Sequence, residues 1–114
     1  MAEINIQIIN EEKTHTVVIN GQLDESTVDE FAEKVYALIE TIESNSKVIF
    51  DLEGLTYLNS KSLGYTTDFY NKIIAKESKL ILAKPQANVK DEFNLIGLDQ
   101  IIPFTQTLNE AKQM

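Results

Sequence analysis

Two short apolar runs constrain this chain most. "KVIFDL" (Lys47 to Leu52) and "KLILAK" (Lys79 to Lys84) each place apolar residues side by side without alternation. A strand with that composition needs cover on both faces. Each run is far too short to cross a membrane as a helix. Both therefore read as interior strands of an α/β sheet, and Pro85 stops the second.

The segments around them supply the covering layers. "INIQII" (Ile4 to Ile9) begins with Ile4, Ile6 and Ile8 on one face, a half-buried strand. "NEEKT" reads as a polar loop, and "HTVVIN" (His15 to Asn20) as a second strand ending at Gly21. The short connection predicts an antiparallel hairpin. The period then changes. Val28, Phe31, Ala32, Val35, Leu38, Ile39 and Ile42 recur at helical spacing, and "ESNS" (Glu43 to Ser46) ends that helix. Thr27 with Glu30 has the pattern of a capping box.

After "KVIFDL", a second helical face runs through Leu63, Thr66, Thr67, Tyr70, Ile73 and Ile74. Val89, Phe93 and Ile96 line a third helix, with Gly97 in a left-handed C-terminal position. "QIIPF" reads as a short strand, which Pro103 confines to an edge or an end. Thr107 and Glu110 give a second capping-box pattern before a terminal helix. The predicted order is β-β-α-β-α-β-α-β-α, a mixed α/β sheet with about four helices. The 114 residues are expected to form one domain spanning 1–114.

Composition excludes several function classes. The net charge is −8, from 10 basic and 18 acidic residues, which argues against binding nucleic acid. There is no cysteine and one histidine, His15, so thiolate and histidine-rich metal sites are excluded. His15 reads as a surface strand residue. The N-terminus lacks a basic, cleavable leader pattern and no run has membrane-spanning length. A soluble cytoplasmic protein without direct membrane insertion is the expectation.

Catalytic chemistry is thinly supplied. Asp24-Glu25, Asp29-Glu30 and Asp91-Glu92 lie near predicted helix starts, where carboxylates suit the helix dipole. The four glycines are isolated, so no phosphate loop is present and no cofactor is expected. Nothing around Ser60 has the nucleophile-elbow pattern. The reading is of a protein that is not an enzyme, with no catalytic or metal-binding residues.

One stretch stands apart. "YLNSKSLGY" (Tyr57 to Tyr65) sets a serine where a strand gives way to a helix. Asn59 or Ser60 there can cap the helix, the commoner use of these residue types. A serine at this place can also act as a switch, because a phosphate added beside unpaired amides changes the local charge by about two units.

The wider stretch "VIFDLEGLTYLNSKSLGYTTDFYNKI" resembles the central motif of STAS domains, shared by anti-sigma factor antagonists and sulphate transporters. Asp51-Leu52, Tyr57-Leu58, Ser60, Leu63 and Gly64 fit that motif. "INGQLDESTVDEF" (Ile19 to Phe31) resembles the end of the family's second strand and its first helix. "FNLIGLDQIIPFTQTLNEA" (Phe93 to Ala111) is similar to its C-terminal segment.

The resemblance implies a small mixed sheet with four helices and a function in partner switching. An antagonist of this kind binds an anti-sigma factor that is also a serine kinase. It is released when the kinase phosphorylates it, and a phosphatase resets it. Carried over by motif, Ser60 is the phosphoacceptor. The implied partner surface comprises Asp24, Glu25, Ser26, Thr27, Asn59, Ser60, Lys61, Ser62, Leu63 and Gly64. A homodimer is compatible with the same reading. So is a phosphorylation-independent scaffold or a transporter-associated subunit.

Three residues depart from the family pattern. Asn59 stands for an Asp, keeping capping ability without charge. Lys61 stands for a Ser or Thr, and its ammonium is expected to pair with a phosphate. Ser62 stands for a Gly, adding a side chain where a partner backbone is expected to approach.

Overall fold

The computed structural model describes residues 3–114. Strand β1 (Ile4–Glu11) pairs antiparallel with β2 (Thr14–Leu23). Only Glu12 and Lys13 separate them, and Glu12 takes the positive φ (56°) of a tight turn. Helix α1 (Val28–Thr41) follows, then β3 (Lys47–Asp51), β4 (Leu55–Leu58) and helix α2 (Ser60–Ala75). Strand β5 (Lys79–Ala83), helix α3 (Ala87–Leu95), a 3-10 turn (Leu98–Gln100), β6 (Phe104–Thr105) and helix α4 (Leu108–Lys112) complete the chain.

The sheet order is β1-β2-β3-β5-β6, with β4 placed against the C-terminal end of β2. All pairs except β1–β2 are parallel. The mixed α/β architecture is the one the alternating pattern predicts. Strand β4 is an addition to it. Its burial runs in-out-out-in, so neither alternation nor a continuous apolar run marks it. Strand β2 also continues past Gly21 instead of stopping there. Gly21 sits at a bulge with φ 121°, and a Cβ there would lie 2.3 Å from the Glu3 carbonyl oxygen. Strand β2 leaves β3 after Val18 and is already paired with β4 at Gly21; the bulge follows, with Thr56 of β4 as the extra residue before Gln22 meets Tyr57.

The interior strands are covered on both faces, as their apolar runs require. Val48 and Phe50 of β3 face a large core built with α1, α2 and α3, while Ile49 turns to a smaller one. There Ile49, Ile81 and Ala83 pack against Ala111 and Leu108 of α4. In the large core Phe31, Phe50 and Phe69 meet edge to face at centroid distances of 5.7–6.0 Å.

Other local readings are corrected. On α2 the buried stripe is Ser62, Leu63, Thr66, Phe69 and Ile73; Phe69 belongs to it and Ile74 is exposed. Ile96 lies just past α3 and is exposed, while Gly97 does adopt φ 79°. The "QII" of "QIIPF" falls in and after the 3-10 turn, and the strand starts beyond Pro103, at the sheet edge. Thr107 accepts from the Glu110 amide (3.0 Å), the forward half of its capping box. The Thr27–Glu30 box does not form, for a reason that bears on the site.

Candidate functional site

The site grows from a short parallel ladder. Leu23 of β2 lies beside Leu58 of β4, and the Asn59 amide donates to the Leu23 carbonyl (3.0 Å). Both chains leave the sheet at this end. The turn before α1 and the start of α2 are thereby held side by side.

The turn before α1 is organised by Asp24. Its Oδ1 accepts from the Ser26 amide (2.9 Å) and the Ser26 Oγ (2.7 Å). Its carbonyl accepts from the Thr27 and Val28 amides. Thr27 is not free to cap. It is buried, donates from Oγ1 to the Gln22 carbonyl (2.7 Å) and accepts from the Asp24 amide (3.0 Å). The hydrogen bond from Ser26 holds the Asp24 carboxyl below its ordinary value, outweighing desolvation.

The start of α2 is capped by Asn59. Its Oδ1 accepts from the Ser62 amide (3.0 Å) and from Ser62 Oγ (2.7 Å). Ser60 is thus the first helical residue, exposed, with a hydroxyl the cap does not use. A shallow depression is lined by Asp24, Glu25, Tyr57, Asn59, Ser60 and Lys61. It joins the two segments that the sequence grouped.

Three of the grouped residues face inward. Thr27, Ser62 and Leu63 are 6%, 1% and 6% exposed. Ser62 does not present its side chain to a partner backbone; it is spent on the cap. Gly64 is exposed, and a Cβ there would meet nothing within 4 Å. Asp24, Glu25, Ser26, Asn59, Ser60, Lys61 and Gly64 remain at the surface.

Two contributors lie outside the predicted set. Tyr57 is 48% exposed at the rim. Asp29, in the first turn of α1, receives Lys61 Nζ at 2.9 Å and the Tyr65 hydroxyl at 2.7 Å on the same Oδ1. These donors, Tyr65 first and then Lys61, hold the Asp29 carboxyl below its ordinary value. Asp29 in turn raises the pKa of both Lys61 and Tyr65. The Lys61–Tyr65 spacing of four on a helix is legible in sequence. Asp29 is remote from both along the chain and carries no local signal.

His15 stands at the other end of β2, roughly 25 Å away at about 3.3 Å per strand residue. It is half-buried, with Nδ1 2.7 Å from Asn10 Oδ1. No imidazole therefore sits beside Ser60 to activate it as a nucleophile. What the geometry offers is an exposed hydroxyl in an acidic depression.

The family model of the STAS domain matches residues 5–111. The chain belongs to the STAS family. This STAS chain also shares its fold with solved structures. An anti-sigma factor antagonist from Mycobacterium paratuberculosis is 19% identical, with a TM-score of 0.81 over 97% of this chain and 92% of that one. The anti-sigma factor antagonist SpoIIAA in its unphosphorylated form is 21% identical, with a TM-score of 0.81 over 96% and 94%. The phosphorylated form of the Bacillus cell fate determinant SpoIIAA is 20% identical, with a TM-score of 0.74 over 96% and 97%. Among the described residues, no helix of this STAS chain is long and apolar enough to cross a membrane.

Proposed function

We propose that this STAS protein is a regulatory protein-binding module of the anti-sigma factor antagonist type. It switches partners with an anti-sigma factor that is also a serine kinase, and Ser60 is its phosphoacceptor. The observation that carries this reading is the free Ser60 hydroxyl. Asn59 performs the capping, and Ser60 stands exposed in the depression shared with Asp24 and Glu25. The fold shared with SpoIIAA in phosphorylated and unphosphorylated forms supports it.

The mechanism follows from charge. Unmodified, the depression offers a partner Tyr57, two carboxylates and the Lys61 ammonium around a neutral serine. A phosphate on Ser60 adds about −1.5 to −2 charge at pH 7 beside those carboxylates. A surface that fitted the neutral form then carries a bulky dianion at its centre, and the complex dissociates. A phosphatase restores the binding form.

The decisive experiment incubates the protein with ATP and each candidate serine kinase from its own genome. One phosphate is added, is lost in Ser60→Ala, and its addition releases the kinase. If no such kinase binds or modifies the protein, the switch reading fails. A phosphorylation-independent scaffold is the second reading. The Lys61–Asp29 pair favours it, because that contact organises the surface without any modification. Under that reading Ser60→Asp binds the partner as well as wild type does.

A further inference from the structure

Lys61 is the one cation lining the Ser60 depression among the described residues; the other charged groups there are Asp24 and Glu25. Its ammonium is already engaged. It lies 2.9 Å from Asp29 Oδ1 and 5.8 Å from the centroid of the Tyr65 ring. Tyr65 donates to the same Asp29 oxygen, stacks on Phe69 at 6.0 Å and meets Tyr36 edge-on at 6.1 Å. Phe69 is fully buried. A continuous set of contacts thus runs from the residue beside Ser60, across to α1, and down into the packing between α1 and α2.

We propose that Lys61 is a partner-exchange residue: when Ser60 carries a phosphate, the Lys61 ammonium leaves Asp29 for the phosphate, so that of the two α2 donors on that α1 carboxylate only Tyr65 remains. This rests on Ser60 as the phosphoacceptor and adds what the modification does inside the protein.

Three considerations decide the direction of exchange. First, attraction scales with the anion's charge, and the phosphate carries up to about twice the charge of the carboxylate. Lys61 and Asp29 side chains are both more than half exposed (57% and 59%), so neither contact is favoured by burial. Second, Asp29 is not stranded by the exchange, since the Tyr65 hydroxyl still donates to it. Third, without Lys61 the charged side chains that a phosphate meets in the depression are both carboxylates, Asp24 and Glu25. A lysine stem is flexible enough to turn without backbone movement. The chain therefore carries its own counter-ion for the modified state, where the family pattern has a hydroxyl residue.

The test uses full-length protein with phosphoserine placed at position 60 during synthesis, so that it needs no kinase. Failure here is then distinct from failure of the phosphoacceptor reading, which is a matter of which kinase acts. Phosphorus NMR titration reads the phosphate. The expected midpoint lies several tenths of a pH unit lower with Lys61 than in Lys61→Gln, and Lys61→Arg retains the lowering. Proton NMR at pH 7.5 reads the exchange. Cross-peaks between the Lys61 side chain and the Tyr65 ring are expected in the unmodified protein and absent in the phosphorylated one. Equal phosphate midpoints with Lys61 and with Lys61→Gln overturn the proposal. Persistence of the Lys61–Tyr65 cross-peaks after phosphorylation overturns it as well.

Discussion

Replacing Asn59 by alanine removes a single oxygen that accepts two hydrogen bonds. One comes from the Ser62 amide, the other from the Ser62 hydroxyl. Losing an N-cap side chain costs about 1 kcal/mol. The hydroxyl adds to that, because Ser62 is 1% exposed and water does not replace the lost acceptor. A buried donor left without a partner costs about 1–3 kcal/mol. Ser62 can recover part of this by turning its hydroxyl to a carbonyl in the preceding turn, which places the sum near 2–3 kcal/mol. Urea unfolding measures it as a midpoint lowered by about 1–2 M at unchanged slope. The pair also predicts coupling. In a Ser62→Ala background no hydroxyl is stranded, so Asn59→Ala costs only the cap, about 1 kcal/mol. Asn59→Asp keeps the acceptor and places a negative charge at the helix N-terminus, for a gain of about 0.3–1 kcal/mol. A cost for Asn59→Ala below about 0.5 kcal/mol, or strict additivity with Ser62→Ala, would refute the reasoning.

Three further outcomes are expected. Phe69→Ala, which removes a fully buried ring packed against Phe31, Phe50, Tyr36 and Tyr65, lowers stability by about 3–5 kcal/mol, checked by thermal or urea unfolding. The glycines divide by environment: Gly21→Ala costs about 3 kcal/mol or more, from its φ of 121° and the Glu3 carbonyl. Gly64→Ala, in the exposed interior of α2 with open space around it, stabilises by about 0.5–1 kcal/mol in the same assay. Burial lowers the His15 pKa below 6.5, so the unfolded chain takes up its proton first as pH falls. The stability this contributes is present above the unfolded value and is lost as pH drops through the folded one. Urea midpoints therefore fall between pH 7.5 and 5.5, and His15→Gln flattens that fall; an equal fall in the variant removes His15 as the cause.

Some of this site was open to inspection in the sequence because its signals are local. Asn59 and Ser60 stand at a strand-to-helix junction, and their residue types announce a cap. Which of them caps follows from where α2 begins, and that leaves Ser60 with an unused hydroxyl. Thr27 shows how a local signal is overridden. Its spacing to Glu30 matches a capping box, yet its hydroxyl donates to the Gln22 carbonyl and accepts from the Asp24 amide, so it does not reach the Glu30 amide. Ser62 shows the same on the buried side. As a sequence letter it is an added surface group, and in the fold it is an interior hydrogen-bond donor.

Which runs become interior strands and which segments become amphipathic helices was written in the residues themselves. Side-chain period and continuous apolarity act over a few residues, so β3, β5, α1 and the antiparallel opening pair follow from them. It took the packed fold to pair β4 with β2, to set Tyr57 and Asp24 in one depression, and to bring both Lys61 and Tyr65 to Asp29. Those contacts join residues about thirty or more positions apart. They exist because β2 runs on past the end of β3 and pairs with β4 from Gly21 to Leu23, and that register holds the start of α1 beside the start of α2. No local preference encodes such a meeting; it is settled by which arrangement buries the apolar faces of all the elements at once.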